Sequence, residues 1–274
     1  MNLTLDRALL QQVLAIAEAA GEAIRAIYEH PDKVAVITKS DDSPVTAADH
    51  AAHAIIVERL TQLTPDIPVL SEESDMPTFE VRRQWTRYWL VDPLDGTKEF
   101  IEGSGEFTVN IALIEQHQPV LGVVTVPVKD LAYVAAKGTG AFRIEQGQWQ
   151  PIRVRPVPDK RLAIVGSRRH GAEKLQPVLT RIENSGFQVE MANMGSSLKF
   201  CLIAEGKADC YPRLGPTSEW DTAAAQAVLL EAGGCVVDTK FEALQYNRKE
   251  SLLNPEFLAL GDPAFDWPRY LQIG

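Results

Sequence analysis

Cysteine, long hydrophobic runs and positive charge are all scarce in this sequence. Its 274 residues include three cysteines, Cys201, Cys210 and Cys235. So odd and sparse a set, with no C-x-x-C spacing, predicts reduced thiols in a cytosolic protein rather than a disulfide framework or a zinc site. Every apolar stretch falls well short of the ~18 residues that a membrane span needs. Because Asp6 and Glu18 interrupt the apolar start of the chain, we expect no signal peptide and a cytoplasmic protein.

The balance of charge bears on the kind of partner. The chain has 27 basic and 37 acidic residues, a net charge of −10. Nucleic-acid polymers are therefore not expected as partners, because lysine and arginine supply most of the affinity for their phosphates. A small anion can still be bound where metal ions or backbone amides supply a local positive field. At 45% hydrophobic and 23% charged residues, the composition is that of a globular protein with one large or two smaller domains.

The order of predicted elements indicates two mixed lobes. Apolar residues at helical spacing predict a long first helix, and a second helix is predicted to begin near Thr46. Short strands are predicted at residues 68–70, 88–91, 108–114, 121–126 and 131–136. Beyond the proline-containing segment 151–160, strands are predicted at 162–165, 187–191, 208–211 and 235–237, and helices at 172–185, 198–204 and 222–232. We therefore expect an α/β (α+β) fold with an N-terminal α+β lobe, 1–155, a C-terminal α/β lobe, 156–274, and a cleft between them.

The most informative stretch is Trp89-Leu-Val-Asp92-Pro-Leu-Asp95-Gly-Thr97. An apolar strand is predicted to end on Asp92, and a turn is predicted to bring Asp95 back beside it. Two carboxylates followed by free backbone amides are typical of a site for a hard cation and a phosphate. Either Asp-Pro or Asp-Gly alone would be an ordinary surface turn.

A different class of phosphatase carries Asp-x-Asp-Gly-Thr, in which the first aspartate is a covalent nucleophile. In this chain Leu94 stands at that position, and Asp92 lies one residue too early. Water is therefore the expected attacking group.

Three further acidic positions have both a structural and a functional interpretation. Glu72 follows a short apolar run and would be a solvated strand end unless that strand lies beside the one that ends at Asp92. Asp49 follows Thr46 at the spacing of a capping box. This structural role does not exclude a second one, in which the Asp49 carboxylate accepts a proton from water. Asp221 could be a plain N-cap for the helix that follows it. The serines after Gly195 could likewise cap a helix or bind an anion.

Together these motifs resemble the inositol monophosphatase superfamily of lithium-sensitive, magnesium-dependent phosphatases. Within this superfamily they are similar to the branch of 3'(2'),5'-bisphosphate nucleotidases of the bacterial CysQ type, which act in sulfur metabolism. The resemblance covers nearly the whole chain, from Lys39 to Pro255. The residues Lys98-Glu-Phe after the aspartate motif are similar to those of the nucleotidases at this position, whereas inositol phosphatases more often have Thr-Asn-Phe there. The run from Gly195 to Asp221 is the most specific match to this branch.

The resemblance implies a layered αβαβα sandwich with the active site between two lobes. It implies two or three Mg²⁺ ions, with most ligands in the N-terminal lobe. The metal ligands would be Glu72, Asp92, Asp95, Asp221 and the backbone carbonyl of Leu94.

The resemblance also implies roles in catalysis and substrate binding. Asp49 and Thr97 would form the pair that orients and deprotonates the attacking water, with Glu72 also catalytic. The amides of Gly96 and Thr97 would hold the scissile phosphate. The metal-site residues Glu72, Leu94, Asp95 and Asp221 would also line the substrate site. The nucleotide and its retained 5'-phosphate would contact His170, Ser196, Lys199 and Arg213.

The expected reaction is hydrolysis of 3'-phosphoadenosine 5'-phosphate to AMP and phosphate by metal-activated water. Alternatives are an inositol monophosphate or fructose 1,6-bisphosphate phosphatase, and a non-catalytic sensor of metal and nucleotide. Lys199 and Arg213 favour a substrate with a second phosphate, which needs a second basic anchor. Some bacterial relatives are described on the inner face of the cell membrane, but this sequence has no lipidation motif or basic amphipathic helix that argues for such a location.

Overall fold

The computed structural model describes residues 3–30, 36–38, 44–166 and 172–272. Within these ranges the helices are α1 (Arg7–Tyr28), α2 (Ala47–Leu63), α3 (Phe79–Arg82), α4 (Thr97–Ile101), α5 (Ala172–Asn184), α6 (Leu198–Ala204), α7 (Ala223–Glu231) and α8 (Trp267–Tyr270). The strands are β1 (Val36–Thr38), β2 (Pro44–Thr46), β3 (Val69–Ser71), β4 (Arg87–Asp95), β5 (Thr108–Glu115), β6 (Gln118–Val126), β7 (Leu131–Ala136), β8 (Gly140–Glu145), β9 (Gln148–Ile152), β10 (Arg161–Gly166), β11 (Gln188–Asn193), β12 (Cys210–Arg213), β13 (Cys235–Asp238) and β14 (Phe257–Leu260). A 3-10 turn, Glu219–Asp221, precedes α7. None of the described helices is both long and apolar enough to span a lipid bilayer.

A seven-stranded sheet contains the first five predicted strand runs. Its order is β3-β4-β5-β6-β7-β8-β9, and only the β3–β4 pair is parallel. The sequence did not predict β8 and β9, whose half-exposed side chains give a weak apolar signal. Gln146 and Gly147 join them with φ values of 51° and 70°, the positive values that tight hairpin turns require.

A five-stranded sheet follows, in the order β11-β10-β12-β14-β13. β10 runs parallel to both β11 and β12, whereas β14 is antiparallel to both of its neighbours. The sequence predicted every strand of this sheet except β14. Its short apolar run, Phe-Leu-Ala-Leu, has no periodicity that distinguishes a buried strand from a helix.

The helices and sheets stack in five layers. α1 and α2 cover one face of the seven-stranded sheet, where Ile24 and Ile56 belong to the same buried cluster as Trp89. α6 and α7 lie between the two sheets, in a cluster that includes Tyr88 on one side and Phe257 on the other. α5 and α8 cover the far face of the five-stranded sheet. The predicted αβαβα arrangement is therefore confirmed.

The predicted lobe boundary falls between the two sheets, after the end of β9 at Ile152 and before β10. Arg155 in this segment forms an ion pair with Asp209, with its two nitrogens 2.8 and 2.9 Å from the two carboxylate oxygens. The same carboxylate accepts the N–H of Ala163 in β10 at 2.7 Å. These contacts hold the connecting segment against the second sheet. The middle layer of helices is shared, because its buried cluster contains residues from both sides of the boundary.

Candidate metal and phosphate site

The end of β4 lies at the centre of the candidate site. The strand does not end at Asp92, as the sequence predicted, but continues to Asp95. Asp92 pairs with Asn110 of β5 and Asp95 pairs with Thr108, so three steps along β4 oppose two along β5. Such a β-bulge accommodates the proline between the two aspartates and redirects their side chains. The N–H of Leu94 donates to Asp92 Oδ1 at 3.0 Å.

Glu72 reaches this place because β3 is parallel to β4. Ser71 at the end of β3 pairs with Val91, and the N–H of Glu72 donates to the carbonyl of Val91 at 3.0 Å. The strand therefore lies where the functional interpretation of Glu72 requires it, directly beside the strand that carries Asp92.

Asp221 comes from the other half of the chain, at the end of the 3-10 turn. It does not cap α7, whose N-cap is Thr222. Instead, Asp221 Oδ2 accepts the N–H of Ser218 at 2.9 Å, which closes the turn as a capping box. The turn contacts β4 and β5 of the seven-stranded sheet, and α7, which follows it, lies buried between the two sheets.

These three side chains form a compact acidic cluster. One carboxylate oxygen each of Glu72, Asp92 and Asp221 lies within 4.8 Å of the others. Burial raises the pKa of Asp92 and of Asp221 well above the ordinary value, and repulsion from neighbouring carboxylates raises both further. Such a cluster is unfavourable unless a cation lies among the charges. Carboxylates without histidine or cysteine suit a hard divalent ion such as Mg²⁺, so the residues present fit the predicted cofactor.

Asp95 lies beside this cluster but is not one of the three mutually close carboxylates. Its proximity raises the pKa of both Asp92 and Asp221. Burial raises the pKa of Asp95 itself, whereas Lys199 and the N–H of Ser197 oppose that rise.

Asp49 and Thr97 meet at the same place from different helices. The carboxylate of Asp49 accepts the N–H and the hydroxyl of Thr46 at 2.8 and 2.7 Å, and Thr46 Oγ1 accepts the N–H of Ala48 at 3.2 Å. The predicted capping box is therefore confirmed. The other oxygen of Asp49 lies 3.2 Å from the hydroxyl of Thr97, which is also 3.3 Å from the carbonyl of Leu94. Burial raises the pKa of Asp49, and the bonds from Thr46 oppose the rise.

Gly96 and Thr97 begin the short helix α4. Gly96 is its N-cap and has a φ of 94°, in the left-handed region that favours glycine. This tight turn directly follows Asp95, and the phosphate contacts of Gly96 and Thr97 stay a prediction.

The predicted nucleotide contacts lie on the second half of the chain. Lys199 is buried, and its ammonium donates to the carbonyls of Met194 and Ser196 at 3.1 and 2.7 Å. Burial lowers the pKa of Lys199 to about 8. Arg213 donates to the carbonyl of Pro216 at 2.8 Å, and its Nε has no hydrogen-bond partner among the described residues. His170 lies outside the described residues.

The sequence did not single out Thr108 and Asn110, and it singled out Ser197 only as a candidate helix cap or anion ligand, not as a contact of Asp95. Ser197, Thr108 and Asn110 are all buried and hydrogen-bonded to one another beside its carboxylate. The available signal was the alternation of β5, in which Thr108 and Asn110 are polar residues two positions apart in a run that is otherwise apolar as far as Ile114.

Similarity to known proteins agrees with this geometry. Residues 6–261 match the inositol monophosphatase family. The 3'(2'),5'-bisphosphate nucleotidase CysQ of Salmonella typhimurium is 52% identical over 249 residues, which are 91% of this chain and 98% of that protein. The protein of the same name from Haemophilus influenzae is 41% identical over 273 residues, 99% of each chain.

A solved structure has the same fold. The crystal structure of CysQ from Bacteroides thetaiotaomicron, described as a bacterial member of the inositol monophosphatase family, matches with a TM-score of 0.82. Its sequence identity is 40%, over 93% of this chain and 97% of the other. The match over most of the chain, the five-layer fold and the acidic cluster agree with one another, and the chain belongs to the inositol monophosphatase family.

Proposed function

We propose that this chain is a Mg²⁺-dependent 3'(2'),5'-bisphosphate nucleotidase that hydrolyses 3'-phosphoadenosine 5'-phosphate to AMP and phosphate. The observation that carries the proposal is the buried cluster of Glu72, Asp92 and Asp221 beside the hydrogen-bonded pair Asp49–Thr97. The nucleotidases CysQ at 41% and 52% identity over most of the chain support the choice of substrate.

Glu72, Asp92 and Asp221, with Asp95 and the carbonyl of Leu94, would hold the magnesium. Bound Mg²⁺ would lower the pKa of water and neutralise charge on the phosphoryl and leaving-group oxygens. The chain itself supplies the proton acceptor. The hydroxyl of Thr97 donates a hydrogen bond to Asp49 Oδ1 and would accept one from the attacking water. When the water attacks, Thr97 would take its proton and pass its own proton to the buried Asp49 carboxylate. The amides of Gly96 and Thr97 would hold the phosphate oxygens in line.

Among the described residues, we choose Arg213 over Lys199 as the basic side chain that binds the second phosphate. Its Nε lacks a partner among the described residues, whereas the ammonium of Lys199 already donates to two carbonyls. We therefore assign the retained 5'-phosphate to Arg213. Lys199 would orient the segment that carries Ser196, whose φ of 48° is unusual for a serine.

The test is a panel of substrates with the purified protein, scored as phosphate released with Mg²⁺ and with EDTA. We expect Mg²⁺-dependent release from 3'-phosphoadenosine 5'-phosphate that exceeds release from inositol 1-phosphate and fructose 1,6-bisphosphate. Preference for either of the other two esters would contradict the assigned substrate. Metal-dependent nucleotide binding without any phosphate release would identify a sensor instead.

A further inference from the structure

Ser197 connects the start of α6 to the end of β4. It is 2% exposed, and its N–H donates to Asp95 Oδ2 at 2.5 Å. Its hydroxyl donates to Asn110 Oδ1 at 2.8 Å and lies 3.0 Å from the hydroxyl of Thr108. Because a serine hydroxyl has only one hydrogen, Thr108 must be the donor in the second contact. Backbone and side chain of Ser197 therefore bind three residues of the seven-stranded sheet.

Thr108 and Asn110 stand opposite the aspartates on the neighbouring strand. In the register of β4 and β5, Thr108 pairs with Asp95 and Asn110 pairs with Asp92. Both are buried in a strand that is otherwise apolar as far as Ile114, and a buried polar side chain is costly unless its hydrogen bonds are made. Asn110 makes them through Ser197 and through its Nδ2, which lies 3.5 Å from Asp95 Oδ2.

Two hydrogen-bond donors contact the same carboxylate oxygen of Asp95. The N–H of Ser197 and the amide of Asn110 each point to Oδ2. A carboxylate held by one oxygen has a fixed orientation, and it retains its second oxygen for another partner. Side chains that orient a metal ligand in this way commonly change metal affinity when they are lost.

We propose that Ser197, Thr108 and Asn110 form a positioning network that holds Asp95 Oδ2 and leaves Oδ1 for the cation. The network also makes the orientation of this ligand depend on the position of α6, which belongs to the second half of the chain. This inference rests on the proposed function, since it assumes that Asp95 serves the metal site. Ser197 is a positioning residue and makes no contact with the substrate in this proposal.

The test measures Mg²⁺ binding to the free protein by titration calorimetry, together with thermal unfolding in EDTA. Ser197→Ala and Asn110→Ala should each weaken Mg²⁺ binding about 10-fold or more. The double variant should bind about as weakly as either single variant, because the two residues act as one unit. Ser197→Thr keeps the hydroxyl and should restore most of the affinity.

Thr64→Val is the matched control. Thr64, the C-cap of α2, also has a buried hydroxyl with two hydrogen bonds. It donates to the carbonyl of Leu60 and accepts from the indole N–H of Trp89, which lies in the first half of β4. The Thr64→Val variant should have a lower melting temperature than wild type and an unchanged Mg²⁺ affinity. If Ser197→Ala and Asn110→Ala behave like this control, the network is merely structural and the inference is wrong.

The outcome is separable from the proposed function. A wild-type protein that fails to hydrolyse the bisphosphate, while Ser197→Ala still weakens Mg²⁺ binding, would contradict the function and support the network. If Ser197→Ala does not fold, Asn110→Ala provides the same comparison.

Discussion

Single side chains near α4 carry the proton transfer in the proposed reaction. The hydroxyl of Thr97 contacts both Asp49 and the carbonyl of Leu94. Thr97→Ala should lower kcat by about 10²- to 10⁴-fold, the usual contribution of general base catalysis. Mg²⁺ affinity should change little, because the acidic cluster is intact. Steady-state kinetics at saturating Mg²⁺ would test this.

Thr97→Ser is the control, since it keeps the hydroxyl and should retain most of the activity. Equal losses in the two variants would show that the methyl group, and not proton transfer, accounts for the effect.

The acidic cluster should make the metal-free protein sensitive to pH. The folded-state pKa of Asp92 and of Asp221 lies above the ordinary 3.8, so the folded protein binds more protons than the unfolded chain. The contribution of these groups to the free energy of unfolding therefore falls as pH rises above about 4. In EDTA, Asp92→Asn should unfold at a higher temperature than wild type at pH 7, with a difference that shrinks towards pH 4. The same variant should have no measurable turnover.

Asp66→Asn removes one negative charge from an exposed position and serves as the control for net charge. Saturating Mg²⁺ should abolish the advantage of Asp92→Asn. An advantage that Asp66→Asn shares would mean that general charge repulsion is responsible. An advantage that persists at pH 4 would mean that the effect of Asp92→Asn does not come from the ionised carboxylate.

At the scale of elements, the close approach of α7 to β6 depends on small residues. A Cβ atom at Gly122 would lie 2.1 Å from the carbonyl oxygen of Ala224 in α7. Gly122→Ala should therefore push the helix away from the sheet and cost about 1–3 kcal/mol of stability. Because Asp221 lies two residues before this helix, Mg²⁺ binding should weaken as well. Urea unfolding and metal titration measure the two effects.

Gly21 provides the matched comparison. It is also a buried glycine, within α1, but an added Cβ would meet Pro127 at 3.6 Å, an ordinary contact distance. Gly21→Ala should raise stability by about 0.5–1 kcal/mol, since alanine favours the helix. If both substitutions change stability in the same direction, the spacing of helix and sheet is not what distinguishes them.

At the scale of the whole molecule, the proposed substrate would lie between groups from two sheets. The carboxylates come mainly from the seven-stranded sheet, whereas Arg213 ends β12 of the five-stranded one. Arg213→Met should raise KM for 3'-phosphoadenosine 5'-phosphate about 10- to 100-fold, the loss expected for a charge-assisted hydrogen bond. The kcat/KM for 3'-AMP, which lacks the 5'-phosphate, should stay near the wild-type value.

Arg153→Met, at an exposed arginine of the connecting segment, controls for loss of a positive charge. An equal loss of activity on both nucleotides in Arg213→Met would mean that this arginine maintains the fold near Pro216 and does not anchor a phosphate.

The predicted fold was largely correct because the local signals were strong. Apolar periodicity located α1, and the Thr46–Asp49 spacing located the start of α2. The hairpin β8–β9 and the strand β14 were missed, because a half-exposed hairpin and a four-residue apolar run have no distinctive period. The prediction of Asp221 as the N-cap of α7 was the wrong alternative. Asp221 ends the 3-10 turn, whose N-cap is Ser218, and the N-cap of α7 is Thr222.

The sequence by itself determined the local motifs and the family resemblance. The motifs are the capping box, the two aspartates after an apolar strand and the serines that precede α6. Each motif depends on neighbours within a few positions, which the chain order specifies directly, and the resemblance depends on the order of these motifs along the chain. Only the tertiary structure decided that Glu72 and Asp221 lie with Asp92, that a bulge carries β4 on to Asp95, and that Ser197 binds Asp95. Those contacts depend on β3 pairing in parallel with β4 and on two helices packing between two sheets. Such contacts join distant segments, and no local pattern encodes them.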